Sequence, residues 1–153
     1  MSVVTSDGVS DRLALSDLLD AYARGIDTKD FALVKSLFTD GAALDYTAFG
    51  GPKGTAAEVF DWISNAVGAF PMTQHHITNR VFSIDGDGAS STADLLAVMG
   101  MGTGDGKLNM MFTGGIYKDT YARTPSGWKI SERVCDRGWM ASGPEATGPS
   151  GPA

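Results

Sequence analysis

One cysteine, Cys135, is all that 153 residues provide, so no intramolecular disulfide can form and no thiolate cluster can hold a metal. A reducing compartment, the cytoplasm, is the expected setting. No apolar run approaches the length of a membrane span, and the opening MSVVTSDGVSD has neither a basic stretch nor an apolar core. A soluble, unprocessed chain is expected. Basic residues are outnumbered, 12 Lys and Arg against 18 Asp and Glu, for a formal charge of −6. With no basic patch, nucleic acid and anionic membrane surfaces are poor partners. Only two histidines are present, His75 and His76. They are adjacent and would point to opposite faces of a strand, so they make no metal site, and no cofactor is expected.

What is there fits one domain. Leu15, Leu18, Leu19, Tyr22 and Ile26 recur at helical spacing, predicting an amphipathic helix from about Ser10 to Ile26 that frays at Gly25. Asp30 can cap a second helix carrying Phe31, Val34, Leu37 and Phe38, with Asp40-Gly41 as the turn that ends it. Ala43 to Phe49 reads as a short strand. Thr55 and Glu58 have capping-box spacing ahead of a third helix with Val59, Trp62, Ile63, Ala66, Val67 and Phe70 on one face, stopped by Pro71.

From Thr73 the period changes to two. Strands are expected near 74–84, 89–101, 107–123 and 128–140, joined by Asp85 to Gly88, Gly102 to Gly106 and Thr124 to Gly127. Turns this short make the strands antiparallel neighbours. The fold class is therefore α+β, with three N-terminal helices packed on a strongly curved, mainly antiparallel sheet. GTGDG at 102–106 joins two strands and precedes no helix, so it fails as a phosphate loop. The domain is placed at 1–141, and the Gly/Pro-rich 142–153 is expected to be a flexible tail.

Helix–helix–strand–helix followed by a four-stranded meander resembles the SnoaL-like and scytalone dehydratase-like families of the nuclear transport factor 2-like superfamily. The residues that carry the resemblance are Tyr22 and Asp27 in YARGID, the helix ending in SLFTDGA, and QHHITN followed by VFSIDGDGA. His75 stands four before Asn79, the family register, which His76 misses. Bile-acid dehydratases and hexachlorocyclohexane dehydrochlorinase are among the similar types, and the resemblance of GIYKDTYARTPSGWKIS to the latter implies that its active-site Arg corresponds to Arg133. The resemblance implies a cone-shaped α+β barrel and a cofactor-independent dehydratase or dehydrohalogenase with an Asp27–His75 dyad. It also implies a homotrimer, a dimer being the other option.

Neutral imidazole has a pKa of roughly 6.5 in an unperturbed histidine, which suits it to accept a carbon-bound proton near neutral pH. A carboxylate such as Asp27 would fix its tautomer and stabilise the imidazolium. Tyr22 could hydrogen-bond a leaving hydroxyl or a carbonyl, and Arg133 could stabilise leaving-group charge. Leu44, Tyr46, Leu95, Ala97, Met99, Met111, Phe112 and Tyr117 are expected to line a cavity for a hydrophobic small molecule. Other readings stand beside these. His75 and Tyr22 could be satisfied core residues, Asp27 a helix-end residue, and the face shared by Arg133, Cys135, Arg137 and Trp139 a subunit surface. A polyketide cyclase or isomerase with the same base, or a non-catalytic binding module, fits the same fold. An epoxide hydrolase, which would need acidic residues flanking an Arg such as Asp94 beside Arg133, ranks last.

Overall fold

A computed structural model describes residues 6–147. Its elements in chain order are helix α1 (Ser6–Asp27), helix α2 (Phe31–Ser36), strand β1 (Phe38–Asp45), a 3-10 turn (Thr47–Phe49), strand β2 (Lys53–Thr55) and helix α3 (Ala56–Gly68). Strands β3 (Met72–Asp85), β4 (Gly88–Gly102), β5 (Lys107–Thr124) and β6 (Gly127–Thr147) complete it. The strands form one six-stranded sheet in the order β2-β1-β6-β5-β4-β3, curled but not closed, with the helices packed on it. All neighbours are antiparallel except β1 and β6.

The apolar stripe of α1 is the centre of the core, with Leu15, Leu18, Leu19, Tyr22 and Ile26 all buried. Each such aliphatic side chain contributes about 1.5–3 kcal/mol of hydrophobic stabilisation. The helix does not fray at Gly25. A Cβ there would lie 2.8 Å from Val34 Cγ2, so the missing side chain lets α2 fold back closely, and Asp30 N donates to Gly25 O at 2.8 Å. Lys29 takes a left-handed φ of 61° between the helices, and Asp30 Oδ1 caps α2 by accepting from Leu33 N at 2.9 Å. Thr55 closes the expected box on α3, its N–H and its hydroxyl each donating to Glu58 Oε2 at 2.9 Å.

Three local expectations change. Phe38 opens β1 instead of closing α2, so Asp40-Gly41 lies inside the strand, at its irregular register against β6 between Phe38 and Ala43. Ala43–Asp45 remains strand, while Thr47–Phe49 becomes a 3-10 turn. Ser142 to Thr147, expected in the tail, extend β6 and pair with β5, Ser142 against Met111 and Thr147 against Lys107. The rest of that segment, 148–153, lies outside the described residues.

Bulges set which side chains face inward, and two of them lie near the middle of β3 and β6. Between Thr78 and Val81, β3 has one residue more than β4 opposite it, and Asn79 absorbs it with φ 50°. Between Asp136 and Trp139, β6 has one more than β5, and Arg137 takes φ 50°. An extra residue reverses the alternation beyond it. On β3, Thr73 and Ile77 are therefore buried before the bulge, and Phe82 and Ile84 pack on the core after it. On β6, Arg133 and Cys135 are buried, while Arg137 and Trp139 are exposed. The four residues expected to share one face of this strand are split between two.

Candidate active site

Asp27 ends α1 and His75 lies near the start of β3. His75 Nδ1 is 2.7 Å from Asp27 Oδ1, and the His75 backbone N–H donates to Oδ2 at 2.9 Å. Both carboxylate oxygens are thus turned to one residue. Burial raises the pKa of Asp27, but the bonds from the His75 ring and backbone outweigh it and hold the carboxyl below its ordinary value. An ionised carboxylate only accepts, so Nδ1 carries a proton, and in the neutral ring Nε2 keeps a free lone pair. His76 points out to solvent, as its place in the strand requires.

The His75 ring forms part of the wall of a half-open cavity of about 160 Å³. Tyr22, Tyr46, Leu95, Ala97, Met99, Met111 and Tyr117 line it. Ile26, Phe49, Trp62, Phe70, Thr113 and Met140 also line it and were not anticipated. Trp62 belongs to the apolar face of α3 and Phe70 follows just beyond its end, a stripe legible as helical but not as a cavity wall. Phe49 enters through the 3-10 turn, where an expected strand concealed it.

Three expected site residues lie elsewhere. Phe112 follows Met111 on β5, so alternation sends one in and the other out, and Phe112 pairs with Val98 beside the inward Ala97 and Met99. Leu44 is buried opposite Arg133, lining a separate hollow between β1, β2 and β6. Arg133 is absent from the cavity wall. It is fully buried one layer behind, where Nε and Nη2 donate to Asp119 Oδ1 and Oδ2, each at 2.7 Å. Asp94, considered as an acidic neighbour of Arg133, is exposed and accepts from Asn79 Nδ2 at 2.7 Å, so that arrangement does not form.

Arg133 nevertheless touches the cavity residues from behind. Its guanidinium carbon lies 4.2 Å from the Tyr22 ring centroid and 4.0 Å from that of Tyr117. Tyr22 Oη and Tyr46 Oη are 2.8 Å apart. Burial pushes both phenols up, Tyr46 well above its ordinary value, while Arg133 draws each part of the way back. Two neutral phenols share one proton in their mutual bond, which leaves a second O–H to donate. The cavity therefore brings together the His75 ring, bonded from behind by Asp27, and the Tyr22–Tyr46 pair within apolar walls.

Residues 7–134 match the SnoaL-like domain family, and the chain belongs to it. It is 36% identical over 133 residues to the uncharacterized protein Rv2910c of Mycobacterium tuberculosis, covering 87% of this chain and 89% of that one. Kfla4162 of Kribbella flavida has a similar structure, with a TM-score of 0.71 and 27% identity over 90% of this chain and 93% of that one. So does the hexachlorocyclohexane dehydrochlorinase LinA-type3 of Novosphingobium barchaimii, with a TM-score of 0.74 and 20% identity over 89% and 92%. At that identity the likeness shows the fold alone. Family and fold together support a catalytic or ligand-binding role toward a small molecule. Among the described residues no helix is long and apolar enough to cross a membrane, and no group of three His, Cys, Asp or Glu is placed to hold a metal.

Proposed function

We propose that this protein is a cofactor-independent lyase, a dehydratase or dehydrohalogenase acting on a hydrophobic small molecule. The observation that carries the reading is the 2.7 Å contact between His75 Nδ1 and Asp27 Oδ1, in a ring that also walls the cavity. Nε2 takes a proton from carbon, the C–H electron pair becomes the new double bond, and hydroxide or halide departs with its bonding pair. Asp27 stabilises the imidazolium without taking its proton. The Tyr22–Tyr46 pair donates to the leaving group, so that hydroxide leaves as water. Arg133 acts through Tyr22 and Tyr117, holding both rings and easing negative charge on the phenols. A cytoplasmic setting and a homotrimer joined through the outer sheet face, where Leu96 and Trp139 are exposed, belong to the same proposal.

The test follows turnover of single-ring β-hydroxyketones such as 3-hydroxycyclohexanone by enone absorbance. His75→Gln should reduce the rate by about 10²–10⁴-fold. Undiminished turnover in that variant refutes the assignment. Deuterium uptake from solvent at the α-carbon without loss of water points instead to an isomerase or cyclase using the same base. Binding without either reaction points to a carrier.

A further inference from the structure

Thr113 carries a buried hydroxyl in the cavity wall that no group among the described residues meets. Only 8% of the residue is exposed, and its Oγ1 is buried without a hydrogen-bond partner among the described residues. Its neighbours in the wall include Met99, Met111 and Met140, none of which offers a strong acceptor. Valine would fill the same volume without leaving a hydroxyl unpaired, and threonine at such a site is stable when something else supplies the partner.

Sheet register says where that partner sits. His75 pairs with Ala97 across β3 and β4, and Ala97 pairs with Thr113 across β4 and β5. Residues directly opposite share a face, so the three form one row on the cavity side. Two strand spacings put the Cα atoms of His75 and Thr113 about 10 Å apart. The small Ala97 side chain between them leaves the floor of the row open. Imidazole and hydroxyl stand on either side of it in the same cavity wall, a spacing that suits a fragment in which one atom meets Nε2 and another, a short way along, meets Oγ1.

We propose that Thr113 is the polar recognition point of this cavity, donating its O–H to the carbonyl oxygen of a substrate whose enolisable carbon lies against His75. The substrate class is thereby a small carbonyl compound about one ring in size, consistent with a cavity of about 160 Å³. This rests on the reading of His75 as the base. Removing the α-proton moves the C–H pair into a carbon–carbon double bond and the carbonyl pair onto oxygen, and the Thr113 hydrogen bond meets that enolate oxygen. When the β-substituent leaves from the side of the Tyr22–Tyr46 pair, the C=O bond forms again.

Acetophenone and α-methylstyrene have the same shape, one with an acceptor oxygen and α-protons and the other with neither. Their binding to the full chain is measured by protein NMR titration for wild type, Thr113→Val and Thr113→Ser. Thr113→Val should weaken acetophenone about tenfold, the worth of one hydrogen bond, and leave α-methylstyrene unchanged. Unchanged α-methylstyrene binding also shows that the variant is folded, and Thr113→Ser should restore acetophenone. The proposal is overturned if wild type does not bind acetophenone, if Thr113→Val binds it as wild type does, or if both probes weaken alike. His75→Gln separates this from the base assignment. Persisting α-deuterium exchange in that variant removes His75 as the base, whereas the effect of Thr113→Val on binding is read without any reaction.

Discussion

Asp119→Asn isolates the charge behind the aromatic wall. In the native protein the side chains of Arg133 and Asp119 are both at 0% exposure and are joined by two bonds of 2.7 Å. Asparagine preserves the size and one acceptor, but removes the negative charge and turns an NH₂ group toward the guanidinium. The contacts with Tyr22 and Tyr117 remain, and a desolvated cation–π contact supplies about 2 kcal/mol. That falls short of the several kcal/mol by which water favours a lone buried ion. Stability should fall by about 3–5 kcal/mol, which for a chain of this length lowers the thermal midpoint by about 6–20 °C. Urea and thermal unfolding followed by circular dichroism measure it. The double variant Asp119→Leu with Arg133→Met removes both charges at similar volume and should unfold within about 2 kcal/mol of wild type. A loss under about 1 kcal/mol for Asp119→Asn, or a double variant no better than the single, refutes the reasoning.

Asp27 has a carboxyl held low in the folded state, because the bonds from His75 outweigh its burial. A depressed folded pKa stabilises at pH above the unfolded value of about 3.9, and that contribution is lost as pH falls through the folded pKa. The part of the stability gap between wild type and Asp27→Asn that comes from this carboxyl should thus be lost on acidification below about pH 5, so the gap narrows there; urea titrations that show it widening below that pH contradict this. Cys135 is 5% exposed and burial pushes its thiol up to about 12. It should resist a disulfide reagent in the native protein and react at once in urea, and equal rates in both would sink the prediction. At Asn79, φ 50° favours glycine over alanine, so Asn79→Ala should lose about 1–2 kcal/mol and Asn79→Gly less. Equal losses in chemical denaturation would remove the backbone explanation.

Much of the fold was legible because it follows from period and punctuation. The α1 stripe, the Thr55–Glu58 box and the four-stranded meander each announce themselves within a few residues. Where the sequence misleads, the cause is an interaction between distant segments. Lys53–Thr55 is too short to show a period, and it becomes a strand only because β1 lies beside it. Gly143 and Pro144 suggest a tail, yet they form only an irregularity between Ser142 and Glu145, which both pair with β5. The bulge at Arg137 leaves no pattern of its own, so alternation read straight through it put Trp139 with Arg133. Placing both Met111 and Phe112 in the cavity went against the period of two that had identified their strand.

The same physics explains how Asp27 comes to meet His75, 48 residues away. Asn79 in QHHITNR is not a site residue; it is the bulge that reverses the strand's alternation. That reversal turns Arg80 inward, where Nη1 donates to Ser16 O at 3.1 Å and Nη2 bonds Asp20, while Nε holds Ile77 O at 3.0 Å. Asp20 and Asp27 are seven residues apart, two turns along one face of α1. Arg80 therefore fixes the height and rotation of the helix at one point, and His75 meets it at the next. Without the bulge, Arg80 would point to the outer face and the helix would lose the clamp that brings Asp27 to the imidazole. The His75-to-Asn79 spacing thus encodes a docking geometry, and the hydrogen-bonded contact of Asp27 with His75 is its consequence.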